Sequence, residues 1–156
     1  MPQYDYDMIV IGSGPAGHSA AINAAKLNKR VVLVERTDAV GGVMVNLGTI
    51  PSKTLRESVL YLSGFRERGI YGESYSVKQD IKIQDLLFRT EHVMRNETEV
   101  IRHWLNRNRV EVLHAEASFV DSHMVRMSHA DGRGYDEFTA DSIVIAVGTA
   151  ATKASS

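Results

Sequence analysis

Cysteine is absent from all 156 residues, which excludes disulfides, thiolate metal sites, a thiol nucleophile and any dithiol redox couple carried by this chain. Long apolar runs are missing too: the longest are about six or seven residues, far short of the roughly 20 that cross a bilayer. The start, Met1 to Asp7, lacks a basic region followed by an apolar stretch. These absences predict a cytoplasmic protein without a membrane partner. Nor is there an excess of one charge. Eighteen Lys+Arg stand against nineteen Asp+Glu, a formal net charge of -1, which gives no reason to expect nucleic acid. Internal repeats and low-complexity tracts are also lacking. What remains, 44% hydrophobic, 24% charged and 7% aromatic, is the composition of one soluble globular domain.

The first segment with a clear pattern is Asp7-Met8-Ile9-Val10-Ile11, a β-branched run that ends in Gly12-Ser13-Gly14-Pro15-Ala16-Gly17. Small residues continue through Lys26, so the order is strand, turn, helix. Asn28-Lys29 breaks the helix, and Arg30 to Glu35 is a second strand without polar alternation, as expected of a parallel strand covered on both faces. Residues 36–49 read as a loop holding Gly41, Gly42 and Gly48. A helix is predicted from Pro51-Ser52 with Gly64 near its end, and a second, long amphipathic helix is capped by Asp85, its apolar residues running from Leu86 to Trp104/Leu105. That stripe reads as a packing face. The remainder is β: Val110 to Val120, Met124 to Met127, a turn at Asp131-Gly132-Arg133-Gly134, Tyr135 to Thr139, and a last apolar strand from Ser142 to Val147 that ends at Gly148-Thr149.

The glycines license a specific chemistry. A phosphate approaches backbone closely only where no Cβ intervenes, so Gly12 suits the tight turn, Gly14 the close contact and Gly17 the packing of helix on strand. The helix that opens here aims its free N–H groups and positive dipole end at a pyrophosphate. Glu35 ends the next strand about 20 residues on, where a carboxylate accepts hydrogen bonds from both ribose hydroxyls of an adenosine. It disfavours NADP at this site, because a 2′-phosphate would face a like charge. The pattern predicts dinucleotide binding and leaves FAD and NAD undistinguished.

The next segment distinguishes them. Gly41-Gly42-Val43-Met44-Val45-Asn46-Leu47-Gly48-Thr49-Ile50-Pro51-Ser52-Lys53 resembles the flavin-binding segment of the two-dinucleotide flavoproteins, the pyridine nucleotide-disulfide oxidoreductase family that includes glutathione reductase, lipoamide dehydrogenase, mercuric reductase and the soluble transhydrogenases. The resemblance runs from Tyr6 to Thr149. In that family the segment normally holds two cysteines with four residues between them, and their positions here hold Met44 and Thr49. A disulfide reductase passes electrons through that pair, so this chain cannot run the relay. The transhydrogenase branch resembles it better, because Thr is characteristic there at the second position; Met44 departs from that branch and reads as a volume-filling apolar replacement.

The resemblance implies a doubly wound α/β fold, a Rossmann-like parallel sheet carrying FAD, with a small antiparallel crossover meander over residues 124–139. Residues 1–149 would be the FAD-binding domain and 150–156 a linker stub toward an NAD(P)-binding domain, the whole protein having about three domains and assembling as a homo-oligomer. It places Gly12, Ser13, Gly14, Pro15, Ala16 and Gly17 around the pyrophosphate and Glu35 and Arg36 at the ribose. Gly41, Gly42, Val43, Met44 and Thr49 would lie along the path to the flavin ring. Lys53 would sit near flavin N5, in the first turn of its helix at the end the dipole disfavours for a cation. Ala117 would meet the adenine edge, and Ala146, Gly148 and Thr149 form the second flavin signature.

The implied reaction is hydride transfer from NADPH to NAD through flavin, with NAD and NADP as substrates of the full-length protein. The alternatives are a dihydrolipoamide dehydrogenase-like flavoprotein without its dithiol, and a non-catalytic FAD-binding fragment. No metal site is expected: the six histidines, His18, His92, His103, His114, His123 and His129, show no ligand pairing. His18 alone, at the start of the first helix, could lie near the cofactor.

Overall fold

The computed structural model describes residues 4–75, 77–129, 132 and 134–149. The proposed linker 150–156, together with Asp131 and Arg133 of the expected turn, lies outside the described residues. The chain forms two compact units: one comprises the residues up to Gly42 and those from Val100 onward, the other runs from Val43 to Glu99.

The first unit is the α/β body. Strand β1 (Tyr6–Ile11), helix α1 (Pro15–Lys26) and strand β2 (Val31–Glu35) form the expected βαβ unit, with β1 and β2 parallel and Ile9 opposite Val32. Asn28 takes the left-handed conformation (φ 60) that ends the helical run. Strand β3 (Glu111–Phe119) lies parallel to β2, and β5 (Tyr135–Ile145) lies parallel to β1, which makes a four-stranded parallel sheet in the order β3-β2-β1-β5. Strand β4 (Met124–His129) joins the far ends of β3 and β5 in antiparallel register, closing the five strands into a ring.

Alternation along the strands builds the layers. Ile9, Val32 and Val34 face one way and form a buried cluster with Val125 and Met127 of β4, Ala115 of β3 and Ala140 of β5. Val10 and Leu33, of opposite parity, face the side where α1 packs with its buried Ala21 and Ala24. Both faces of β2 are therefore covered, which is why Val31-Val32-Leu33-Val34 shows no polar alternation. The meander is itself one of the layers.

The residues expected to form two strands, 135–139 and 142–147, form one. β5 pairs with β4 as far as Thr139 and with β1 from Ala140, so the strand continues while its partner changes; it stops at Ile145, two residues earlier than expected.

The second unit is helical, with α2 (Gly42–Asn46), α3 (Thr49–Leu62), α4 (Arg68–Tyr71) and the first part of α5 (Ile83–Arg107). Helix α2 replaces part of the expected loop; its five residues are too few to show a helical period. Helix α3 begins at Thr49, two residues before the expected start, because Pro51 is then in the first turn, where its missing N–H costs nothing. Asp85 is the third residue of α5 rather than its cap, and its carboxylate reaches back to accept the Lys82 N–H at 2.8 Å, one half of a capping box. In the α5 stripe, Ile101 and Leu105 are buried, while Val100 and Trp104 are exposed.

Met127 is fully buried between the parallel sheet and the meander. Its replacement by Ala should cost about 2–5 kcal/mol by removing packed volume that neighbouring strands cannot refill. Urea unfolding measures this; an unchanged midpoint would show that β4 does not cover the sheet.

Candidate functional site

Everything in the glycine loop follows from how tightly α1 is drawn onto the end of β1. A Cβ at Gly17 would collide with the carbonyl oxygen of Gly12. Gly12 itself is in a left-handed conformation (φ 100), and a Cβ there would lie 2.5 Å from the Ala146 carbonyl oxygen. The loop is thus wedged between its own helix and the end of β5. Two backbone hydrogen bonds hold it, Gly12 N–H to Val34 O and Ala146 N–H to Ile11 O, each 2.8 Å.

At Gly14, by contrast, a Cβ would meet nothing within 4 Å. Gly14 is the N-cap of α1, without a side chain to cap it, and Pro15 opens the helix, so the first-turn amides have no intrahelical acceptor. The second glycine segment comes close here: a Cβ at Gly42 would stand 2.9 Å from the Gly14 Cα. An uncapped helix start, with open space where a side chain of residue 14 would stand, fits a pyrophosphate group.

Beside this cradle, Glu35 is 8% exposed and Ser13 is fully buried. Ser13 donates its N–H (3.0 Å) and its hydroxyl (2.6 Å) to Glu35 Oε2. Thr37 donates its N–H (3.0 Å) and its hydroxyl (2.9 Å) to Oε1. Burial pushes the Glu35 carboxyl upward, yet the hydrogen bonds from Ser13 and Thr37 outweigh it and hold the pKa below its ordinary 4.5. The Ser13 hydroxyl also accepts the Gly41 N–H at 3.0 Å. One buried serine therefore ties the glycine loop, the acidic residue and the second glycine segment together.

The first unit brings together Gly12 to Gly17, Glu35, Gly41, Gly42 and Ala146 through these contacts. Arg36 is exposed directly after Glu35, and Gly148 (φ 68) and Thr149 are exposed beyond the end of β5. Ala117 pairs with Met127 on the antiparallel part of β3, three residues past His114, the register partner of Glu35.

Val43, Met44, Thr49 and Lys53 belong to the second unit. Val43 is exposed, Met44 is half-buried on α2 and Thr49 opens α3. Lys53 is exposed in the second turn of α3, not the first, so the dipole argument for a dedicated partner loses its force. No side-chain hydrogen bond or ion pair involves it among the described residues.

The histidines are satisfied locally where they are buried or paired. His18 Nδ1 donates to the Ser13 carbonyl at 3.2 Å, His114 Nδ1 to the Thr37 carbonyl at 3.0 Å and His123 Nδ1 to the Ala140 carbonyl at 2.9 Å. His18 thus acts on the loop from behind. Among the described residues no group of three His, Cys, Asp or Glu could hold a metal. Thr37, His114 and Arg102, whose guanidinium donates to the Asp38 carbonyl at 2.7 Å, were not predicted from sequence. Only Thr37, two residues after Glu35, carries a local signal.

The sequence pattern of the pyridine nucleotide-disulphide oxidoreductases matches residues 6–155. The chain belongs to this family. Within it, the chain is 51% identical over 145 residues to a protein of Mycobacterium tuberculosis named soluble pyridine nucleotide transhydrogenase, covering 93% of this chain and 31% of that protein. It is 40% identical over 146 residues to a protein of the same name from Colwellia psychrerythraea, covering 94% of this chain and 31% of that protein. The chain thus spans about a third (31%) of the length of these curated relatives. Among solved structures it resembles the HOCl-induced flavoprotein disulfide reductase RclA of Escherichia coli, with a TM-score of 0.74 and 25% identity, covering 95% of this chain and 29% of that one. The mixed α/β body is the fold of this oxidoreductase family's flavoprotein.

Two outcomes test this geometry. Gly17→Ala should destabilise the chain in thermal unfolding, because helix or loop must move to admit the methyl group; wild-type stability would deny the close approach. Because the Glu35 pKa is lowered on folding, its contribution to stability is complete above the unfolded value of about 4.5 and is lost as pH falls from there through the folded value. Glu35→Gln should flatten the stability profile below about pH 4.5 relative to wild type, as measured by chemical unfolding at a series of pH values.

Proposed function

We propose that this chain is the FAD-binding part of a soluble transhydrogenase, with residues 1–149 as its FAD-binding domain. The observation that carries the reading is the absence of cysteine, at positions 44 and 49 as elsewhere, in a chain whose family and relatives point to flavin and nicotinamide dinucleotides. A disulfide reductase needs the thiol pair; exchange of hydride between two nicotinamides does not.

FAD, when bound, would supply a hydride carrier between two nicotinamides. The chain's own residues bind and orient it. The amides of the loop from Gly12 to Gly17 hold the pyrophosphate, while Glu35, with Arg36 beside it, holds the adenosine ribose. Ala117 meets the adenine edge. Gly41, Gly42, Val43, Met44 and Thr49 line the way to the flavin ring, with Ala146, Gly148 and Thr149 completing its site. Lys53 would be the cation beside flavin N5, where its charge could tune hydride transfer. NAD and NADP are substrates bound by parts of the protein outside this chain. The whole protein is read as a cytoplasmic homo-oligomer without nucleic-acid or membrane partners. No helix among the described residues is long and apolar enough to cross a membrane.

Protein supplied with FAD should be yellow, and the chain joined to its nicotinamide-binding remainder should reduce a thionicotinamide analogue of NAD with NADPH. Flavin binding without that transfer would leave a non-catalytic flavin module. Glu35→Ala should weaken FAD binding by about tenfold to a hundredfold, the loss of charge-assisted hydrogen bonds of about 1.5–3 kcal/mol. Unchanged affinity in a flavin titration would refute the ribose assignment.

A further inference from the structure

The Glu35 carboxylate is already saturated. Each carboxylate oxygen offers two in-plane lone pairs. Here Oε2 receives the Ser13 N–H and hydroxyl, and Oε1 receives the Thr37 N–H and hydroxyl. A ribose hydroxyl that donates to Glu35 must therefore replace one of these four donors. The cost of replacement depends on whether the displaced donor has somewhere else to go, since a donor stranded without an acceptor loses its full desolvation free energy.

The four donors differ in this respect. The two backbone N–H groups are fixed by the chain. The Ser13 hydroxyl is fully buried, and its oxygen accepts the Gly41 N–H, which leaves its proton aimed at Glu35. The Thr37 hydroxyl alone has a second acceptor: its oxygen lies 2.9 Å from Glu35 Oε1 and 3.1 Å from the Ala39 carbonyl oxygen. A hydroxyl has one proton and can serve only one of them at a time. Turning the O–H from one to the other requires rotation about the C–O bond and no movement of a heavy atom. Meanwhile the Thr37 backbone stays in place, because its carbonyl accepts from His114 Nδ1 at 3.0 Å and its N–H remains on Oε1.

We infer that Thr37 is the exchangeable partner of Glu35: its hydroxyl, within reach of both Oε1 and the Ala39 carbonyl, yields Oε1 to an adenosine ribose hydroxyl by turning to Ala39. This rests on the assignment of Glu35 to the ribose. It makes Thr37 a positioning residue and a competitor of the ligand, so its hydroxyl stabilises the empty chain more than the loaded one.

The test is a titration of the chain with FAD, and separately with ADP, combined with thermal unfolding of the ligand-free protein. Thr37→Val, isosteric but without the hydroxyl, should lower the ligand-free melting temperature and bind FAD about two- to tenfold more tightly. Thr37→Ala should shift in the same directions, and Thr37→Ser, which keeps the hydroxyl, should match wild type in both. The tighter binding of Thr37→Val should also appear with ADP and vanish with 2′,3′-dideoxy-ADP, which has no hydroxyl to offer. A hydroxyl with a merely structural role lowers stability and affinity together, so equal or weaker FAD binding by Thr37→Val overturns the proposal, as does a gain that survives with the dideoxy ligand. Wild-type chain that binds neither FAD nor ADP overturns the underlying ribose assignment instead.

Discussion

Helix α1 approaches the end of β1 so closely that residue 17 has no room for a side chain. The rest of the first unit follows from that contact. It forces the chain between Ile11 and Pro15 into a turn that only glycine can take at Gly12, and it presents the carbonyl of Gly12 to the helix and the end of β5 to the loop. Ser13 is carried inward to full burial, and a buried hydroxyl needs partners. Glu35 and Gly41 are those partners. The glycine loop, the end of β2 and the segment that follows it are thereby held in one place by the requirement to satisfy a single side chain. His18, one turn into α1, donates to the Ser13 carbonyl and closes the arrangement from the other side.

Much of this was legible because its causes are local. The run Met8-Ile9-Val10-Ile11, the glycine turn and the alanine-rich helix are each determined by neighbours within a few residues, and a βαβ unit of this length has one favoured hand and order. The features that were not legible depend on partners distant in sequence. Nothing near Ala140 and Asp141 says that β5 leaves one neighbour there and takes another, so a strand that continues through both sheets reads as two. The five residues of α2 are too short for a period, and its start depends on the left-handed glycines Gly41 and Gly42. The backbone support that His114 gives Thr37 arises from the pairing of β2 with β3, a register that the sequence of neither strand declares.

The missing cysteines separate two kinds of chemistry that one scaffold can serve. In this family the scaffold binds and orients dinucleotides, while the relay to a disulfide depends on two thiols in the segment after the second strand. The glycine cradle and the acidic residue do not depend on these positions, since neither Met44 nor Thr49 contributes to the Ser13–Glu35 network. Thr49 is exposed at the first position of α3, and Met44 keeps apolar volume on a half-buried position of α2. Both residues fit their local structure without a redox role. The division also follows the two units: the network lies in the first, and Met44 and Thr49 lie in the second.

Satisfying a buried carboxylate inside the protein has a consequence for any ligand that uses it. Hydrogen bonds that the carboxylate makes within the chain must be subtracted from those it makes to a ligand, so affinity measures an exchange and not a gain. The four donors around Glu35 keep it ionised despite burial, which prepares the charge that a ribose would meet. They also set the free energy of meeting it. A site of this kind is rigid where its donors have no alternative and yielding where one of them does, and the distinction is a matter of which hydroxyl has a second acceptor within reach. Ser13 lies at the rigid end of that scale and Thr37 at the other.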